Sequence, residues 1–159
     1  MTKRYKKRGN YETINDYIKH KVDTNIRDLN KYKSYQMTEI PKIANRIQNA
    51  ISHNKKIVVY GDFDVDGISS VCQFILLLKS MHATFSVSVP RRFSDGYGVK
   101  IKFTQKLDPN TVLILVDNGI AAIDAIQTAI ERGAEVIVMD HHMSAIDVNH
   151  QTVLPNAHI

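Results

Sequence analysis

The chain has 159 residues, of which 43% are apolar and 23% charged, a composition suited to one globular domain with a sizeable core. The single cysteine, Cys72, excludes an intramolecular disulfide and a cysteine-rich zinc site. No apolar run approaches the roughly 20 residues of a membrane span, and no apolar segment follows the basic N-terminus as in a signal peptide. We therefore expect a cytoplasmic monomer without a membrane partner.

The net charge of +5 is concentrated at the N-terminus. Residues 1–50 carry 12 Lys and Arg against 5 Asp and Glu, whereas residues 51–159 carry 9 against 11. We divide the chain into a basic arm with one weak helix at residues 1–35 and a domain at residues 36–159. The run from Lys3 to Arg8, with Tyr5 inside it, suits a polyanion such as single-stranded nucleic acid. The alternative is an arm that is only solvated.

Beyond the arm, the spacing of apolar residues predicts helices alternating with strands. Helices are expected at residues 37–54, 67–81 and 121–132, the last ending at Gly133. Strands are expected at residues 57–60, 83–89, 111–116 and 136–139, with a loop at residues 90–98. The first, third and fourth strands are continuously apolar, as in a sheet buried on both faces. The sequence therefore predicts an α/β fold with a mostly parallel sheet flanked by helices.

Metal-binding residue types follow three of these strands. They are Asp62, Asp64 and Asp66 after the first strand, Asp117 after the third, and Asp140, His141 and His142 after the fourth. The carboxyl ends of parallel strands share one edge, where open α/β sheets bind ligands. Carboxylates with imidazole and no thiolate suit Mn²⁺, Mg²⁺ or Fe²⁺. These carboxylates are more than one divalent ion needs for charge neutrality, and they indicate a two-metal site. The predicted reaction at such a site is hydrolysis of a phosphoric ester or anhydride.

Other interpretations of these residues exist. The run DFDVDG opens like an EF-hand loop, but Gln73 replaces the final Glu and a strand precedes the run, which excludes this interpretation. A phosphatase of the haloacid-dehalogenase type, with Asp64 as nucleophile, stays open as a minor alternative. Taken singly, Asp66 is explained as a helix N-cap and Asp117 as part of a turn, and residues 140–142 as a loop with one core histidine. Taken together, the three clusters favour metal binding.

The segments GDFDVDG, LVDNGI and VMDHHMS, in this order, resemble motifs I, II and III of the DHH phosphoesterase superfamily. The segment PRRFSDGYGV is similar to one found in the RecJ branch, whose members are 5′→3′ exonucleases of single-stranded DNA that use Mn²⁺ or Mg²⁺. Tyr60 stands where the pyrophosphatase and nano-RNase branches carry a metal-binding His. The resemblance therefore implies the nuclease branch, acting in DNA repair and recombination.

The resemblance also implies roles for single residues. Those assigned to metal ions are Asp62, Asp64, Asp66, Asp117 and His141, with Asp64 and Asp66 on different ions and Asp117 between the two. His142 would face the scissile phosphate, Asp140 would orient the pair formed by His141 and His142, and Arg92 would pair with substrate phosphate. Asp62, Asp117 and His142 are the residues on which catalysis would depend.

One part of the family pattern is not found. A fourth motif supplies an Asp well downstream of the Asp-His-His run, and the sequence ends at Ile159 without it. We therefore expect a fragment that lacks the C-terminal part of the fold and whose second metal site is incomplete. Two further alternatives follow: an inactive metal-binding or nucleic-acid-binding module, and a DHH phosphatase of small molecules, including pyrophosphatase.

Overall fold

A computed structural model describes residues 39–142 and a short strand at residues 157–158. The helices are α1 (Glu39–Ser52), α2 (Val65–Ser80), α3 (Ile101–Thr104) and α4 (Ile123–Glu131). The strands are β1 (Ile57–Tyr60), β2 (Phe85–Ser88), β3 (Val112–Val116), β4 (Glu135–Met139) and β5 (Ala157–His158). The basic arm and weak helix expected at residues 1–35 lie outside the described residues. In the described part of the chain, no helix has the length and apolar character needed to span a membrane.

The strands form one sheet in the order β2-β1-β3-β4-β5, and every neighbouring pair is parallel. This confirms the predicted α/β fold with a mostly parallel sheet flanked by helices. In the register of the sheet, Tyr60 lies opposite Leu115, and Val116 lies opposite Met139. The carboxyl ends of β1, β3 and β4 are therefore level, and the polar residues that follow them emerge at one edge.

The core lies on both faces of the sheet, because alternate residues of each strand point to opposite sides. One cluster joins Ile57 and Val59 of β1 to α1 and α2, through Ile43, Ile47 and Val71 among others. The other joins the remaining β1 residues to α4 and to the segment after β2; its members include Val58, Tyr60, Val99, Leu113, Ala125 and Ile126. Burial on both faces explains why β1 and β3 are apolar at every position.

Three local features differ from the sequence prediction. Helix α2 begins at Val65 rather than at residue 67, because the N-cap is Asp64 rather than Asp66: the Asp64 carboxylate accepts a hydrogen bond of 3.0 Å from the Gly67 N–H. Strand β2 is shorter than the predicted 83–89, and as the outer strand of the sheet it leaves Val87 39% exposed. Helix α3 was not predicted, because four residues are too few to show a helical period.

Candidate metal centre

The loop after β1 holds Asp62 inside the protein. The residue is 1% exposed, and among the described residues neither carboxylate oxygen has a hydrogen-bond partner. The first turn of α2 packs directly on this loop: a Cβ added at Gly67 would lie 2.5 to 2.7 Å from backbone atoms of Asp62. Glycine at position 67 therefore allows the close approach that fixes where the Asp62 carboxylate lies.

Asp64 and Asp66 are both exposed but are placed differently. Asp64 caps α2, and the hydrogen bond from the Gly67 N–H is the main reason that its pKa is lowered. Asp64 also lies close enough to Asp117 to affect the pKa of that residue. Asp66 lies in the solvent-facing first turn of α2, and the structure does not bring it into the group formed by Asp117 and the two histidines.

Asp117 lies at the end of β3 in a left-handed conformation with φ of 58°. Its backbone N–H donates to the Met139 carbonyl at 2.9 Å, which brings the ends of β3 and β4 together. The residue is 6% exposed; its Oδ1 lies 3.0 Å from His141 Nε2, and its Oδ2 has no partner among the described residues. Burial, and then the nearby charge of Asp64, raise the pKa of Asp117.

Asn118 has a structural role that the sequence did not reveal. The residue is fully buried, and its side-chain amide donates to the carbonyls of Tyr60 at 3.3 Å and Val116 at 2.9 Å. These two bonds tie the end of β1 to the end of β3. Asn118 is therefore more than part of a turn, because it holds the loops that carry Asp62 and Asp117 side by side.

The end of β4 forms a tight network around Asp140, whose side chain is 1% exposed. It accepts hydrogen bonds from the Ile120 N–H at 3.0 Å and the His142 N–H at 3.1 Å, and it lies 2.6 Å from His142 Nδ1. Burial acts to raise the pKa of Asp140, but these hydrogen bonds outweigh it and leave the pKa lowered. The bond to Asp140 in turn raises the pKa of His142.

Tyr97 is a further member of the site that the sequence analysis did not single out. Its hydroxyl lies 3.0 Å from Nδ1 and 3.1 Å from Nε2 of His142, and the two rings meet edge to face with centroids 5.5 Å apart. Burial, and then the charge of Asp140, raise the pKa of Tyr97 to about 12, so the hydroxyl is protonated at neutral pH. The available signal was the GYG segment, in which Tyr97 is the central residue.

Arg92 lies on the rim of the site rather than in its centre. Its guanidinium carbon is 5.5 Å from the centroid of the Phe63 ring, in the loop between Asp62 and Asp64. The neighbouring Arg91 is engaged with Asp95, whereas Phe93 is 99% exposed. The loop after β2 therefore presents a cation and an aromatic ring to solvent beside the acidic cluster.

The described residues fit a divalent cation. Asp117, His141 and His142 each offer a ligand atom, and these atoms lie within 4.8 Å of one another. In the part of the chain that the structure describes, buried oxygens of Asp62 and Asp117 have no hydrogen-bond partner, which is costly for a carboxylate without a counter-charge. Oxygen donors with imidazole nitrogen match the preferences of Mn²⁺ and related ions. The geometry therefore supports at least one metal ion at this edge of the sheet.

Comparison with known proteins agrees with this description. The family model described as "DHH family, N-terminal domain" matches residues 56–158. The single-stranded-DNA-specific exonuclease RecJ of Bacillus subtilis is 35% identical over 118 residues, which are 73% of this chain and 15% of that protein. RecJ of Dickeya dadantii is 32% identical over 125 residues, which are 77% of this chain and 21% of that protein. The chain thus matches only a small part of the length of these relatives.

Solved structures give the same result. A crystal structure of exonuclease RecJ bound to manganese superposes with a TM-score of 0.62 and 29% identity, covering 67% of this chain and 28% of that one. RecJ of Thermus thermophilus in complex with Mn²⁺ gives 0.55 and 25%, covering 69% of this chain and 15% of that one. These matches confirm the resemblance drawn from the four sequence segments. The chain belongs to the DHH family.

Proposed function

We propose that this chain is the metal-binding part of a DHH phosphoesterase that hydrolyses phosphodiester bonds in single-stranded DNA in the 5′→3′ direction. The protein would act in DNA repair and recombination, and it would be a cytoplasmic monomer. Two observations carry the proposal: Asp62 and Asp117 are buried carboxylates with oxygens that have no hydrogen-bond partner among the described residues, and Asp117 shares a compact group of ligand atoms with His141 and His142. A divalent cation would supply the counter-charge that buried carboxylates need.

The metal ligands would be divided between two sites. Asp62, Asp64 and Asp117 would hold a first Mn²⁺ or Mg²⁺ ion, and Asp66, Asp117 and His141 a second. A bound ion of this kind supplies a water of lowered pKa and positive charge for the phosphoryl oxygens. Asp117 and His141 of the second site belong to the compact group of ligand atoms, and Asp64 of the first site lies near Asp117; Asp62, Asp64 and Asp66 are not members of that group.

His142 and Arg92 would act on the substrate. Asp140 holds His142 through its ring and through its backbone, and it raises the pKa of the ring. His142 therefore carries a proton over a wider pH range than an isolated histidine and is suited to donate a hydrogen bond to a phosphate oxygen. The Arg92 guanidinium, planar and permanently charged, is suited to a second phosphate.

The rim of the site favours a nucleic acid over a small phosphate compound. Phe93 is 99% exposed and follows Arg92, whose guanidinium lies over the Phe63 ring. Exposed aromatic rings next to arginine are the usual means of holding unpaired bases and their phosphates, and pyrophosphate has no base to stack. The names of the RecJ relatives, which are single-stranded-DNA-specific exonucleases, support the same substrate.

A degradation assay tests this function. The chain is incubated with Mn²⁺ and end-labelled single-stranded DNA, with the same sequence as duplex, and with pyrophosphate. Where the chain turns over DNA despite a second metal site that we expect to be incomplete, we expect shortening of the single strand alone, and none with a chelator or in Asp117→Asn. Asp108→Asn is the matched control, since Asp108 is an exposed acid that pairs with Lys56 away from the site.

Two other results would contradict the proposal, and a third would invalidate the assay. Release of phosphate from pyrophosphate alone would indicate a small-molecule phosphatase. Retention of DNA without shortening, weakened steeply by salt and indifferent to chelator, would indicate a binding module. Loss of activity in Asp108→Asn as well as in Asp117→Asn would show that the assay reports on folding rather than on the site.

A further inference from the structure

The ring of His142 is held from two directions by groups on different parts of the chain. Asp140, two residues earlier, lies 2.6 Å from Nδ1, and Tyr97, 45 residues earlier, places its hydroxyl 3.0 Å from Nδ1 and 3.1 Å from Nε2. A ring held by Asp140 alone keeps freedom to change its orientation. A second contact from another loop removes this freedom, so the orientation of His142 depends on where Tyr97 lies.

The loop that carries Tyr97 is itself fixed in place. Gly96 and Gly98 flank the tyrosine with φ of 73° and 72°, a left-handed conformation that glycine adopts without strain. The Gly98 carbonyl accepts a bond of 3.5 Å from the Tyr60 hydroxyl, and Val99 is 3% exposed in the core. Tyr97 is therefore presented by a defined turn that is anchored on both β1 and the core.

We propose that Tyr97 is a positioning residue for His142, which together with Asp140 sets the direction in which the imidazole faces the substrate phosphate. The effect on turnover rests on the function proposed above, whereas the effect on the ring does not. Since the same loop carries Arg92, a phosphate held there would be aligned with the histidine by the turn that joins them.

The first test is nuclear magnetic resonance of the histidine ring nitrogens in the full chain, without metal or DNA. In Tyr97→Phe, which removes one oxygen atom, we expect the His142 ring signals to shift and broaden while the His53 signals stay unchanged. His53 is an internal control, because it lies at the end of α1 with its Nδ1 2.9 Å from the Asn49 carbonyl, whereas the His141 ring packs against the His142 ring with centroids 4.5 Å apart. Ser80→Ala is the control loss of a hydroxyl, because the Ser80 hydroxyl donates to the Leu77 carbonyl at the end of α2 opposite Asp64. It should leave the His142 signals in place.

The second test is kinetic. If single-stranded DNA is degraded, Tyr97→Phe should lower kcat roughly three- to tenfold, the loss of about one neutral hydrogen bond, with little change in KM. Unchanged His142 signals in a folded Tyr97→Phe protein would overturn the proposal, whether or not the chain is a nuclease. If the His142 signals shift in Tyr97→Phe but the unmodified chain has no nuclease activity, the positioning role of Tyr97 is supported and the proposed function is refuted. If Tyr97→Phe does not fold, weak protection of the His142 ring N–H from exchange in the unmodified chain would overturn it.

Discussion

Replacing Asp117 by Asn should stabilise the metal-free protein and abolish its response to Mn²⁺. Asp117 is buried close to Asp64, and both burial and this neighbour raise its pKa. The folded chain therefore binds the proton on Asp117 more tightly than the unfolded chain, so stability is lost as pH rises through the folded pKa. Asn removes the charge but keeps the shape, and at neutral pH the variant should be the more stable protein. At a pH below the pKa of aspartate in the unfolded chain, about 3.9, the unmodified chain and Asp117→Asn should have the same free energy of unfolding.

The choice of Asn rather than Ala follows from the backbone. Asp117 has φ of 58°, a left-handed conformation that Asn tolerates and that costs Ala on the order of 1 kcal/mol. Asp117→Ala would therefore confuse a loss of folding with a loss of metal binding. An Asn at position 117 also retains an oxygen that accepts a hydrogen bond from His141.

Adding Mn²⁺ should reverse the order of stability. An ion present at one hundred times its dissociation constant stabilises the protein that binds it by about 2.7 kcal/mol. We expect this gain for the unmodified chain and for Asp108→Asn, but not for Asp117→Asn. Urea unfolding followed by circular dichroism, at neutral pH with and without Mn²⁺, measures the free energy of unfolding of each of the three proteins. An equal gain in all three proteins, or a metal-free Asp117→Asn protein that is less stable than the unmodified chain, would refute this reasoning.

Three further predictions concern other parts of the molecule. Gly67→Ala should lower the free energy of unfolding by roughly 1–3 kcal/mol, because its Cβ would meet the Asp62 backbone; a urea midpoint equal to that of the unmodified chain would contradict this close packing. Phe93→Ala should weaken binding of single-stranded DNA but not of an abasic strand with the same phosphates, as measured by fluorescence anisotropy; equal weakening of both would exclude base stacking. Glu135→Gln, which breaks an exposed ion pair with Arg46, should cost less than about 1 kcal/mol and leave Mn²⁺ binding unchanged; calorimetry checks the second point.

The sequence was informative where one physical requirement governed a whole segment. The run VLILV, residues 112–116, is apolar throughout because β3 is buried on both faces, and this alone identifies it as a central strand. The level carboxyl ends of β1, β3 and β4 follow from the parallel sheet. For this reason the shared edge of Asp62, Asp117 and Asp140 was predictable from the order of the strands and the residues that follow them.

Contacts between distant loops were not predictable, because local patterns carry no information on them. Tyr97 and His142 meet across 45 residues of sequence. Asn118 has the pattern of a turn residue, yet it bonds the carbonyl that ends β1. In the sequence, Asp64 and Asp66 both stand before the same apolar run, and only the hydrogen bond from the Gly67 N–H shows that Asp64 is the cap while Asp66 lies in the first turn of the helix.

The central claim is that the acids and histidines at the carboxyl edge of the sheet form a metal centre. Calorimetric titration of Mn²⁺ into the metal-free chain, beside Asp117→Asn and Asp108→Asn, tests it most directly. We expect saturable binding by the unmodified chain and by Asp108→Asn, and none by Asp117→Asn. Absence of Mn²⁺ binding by the unmodified chain, or binding that survives in Asp117→Asn, would contradict it.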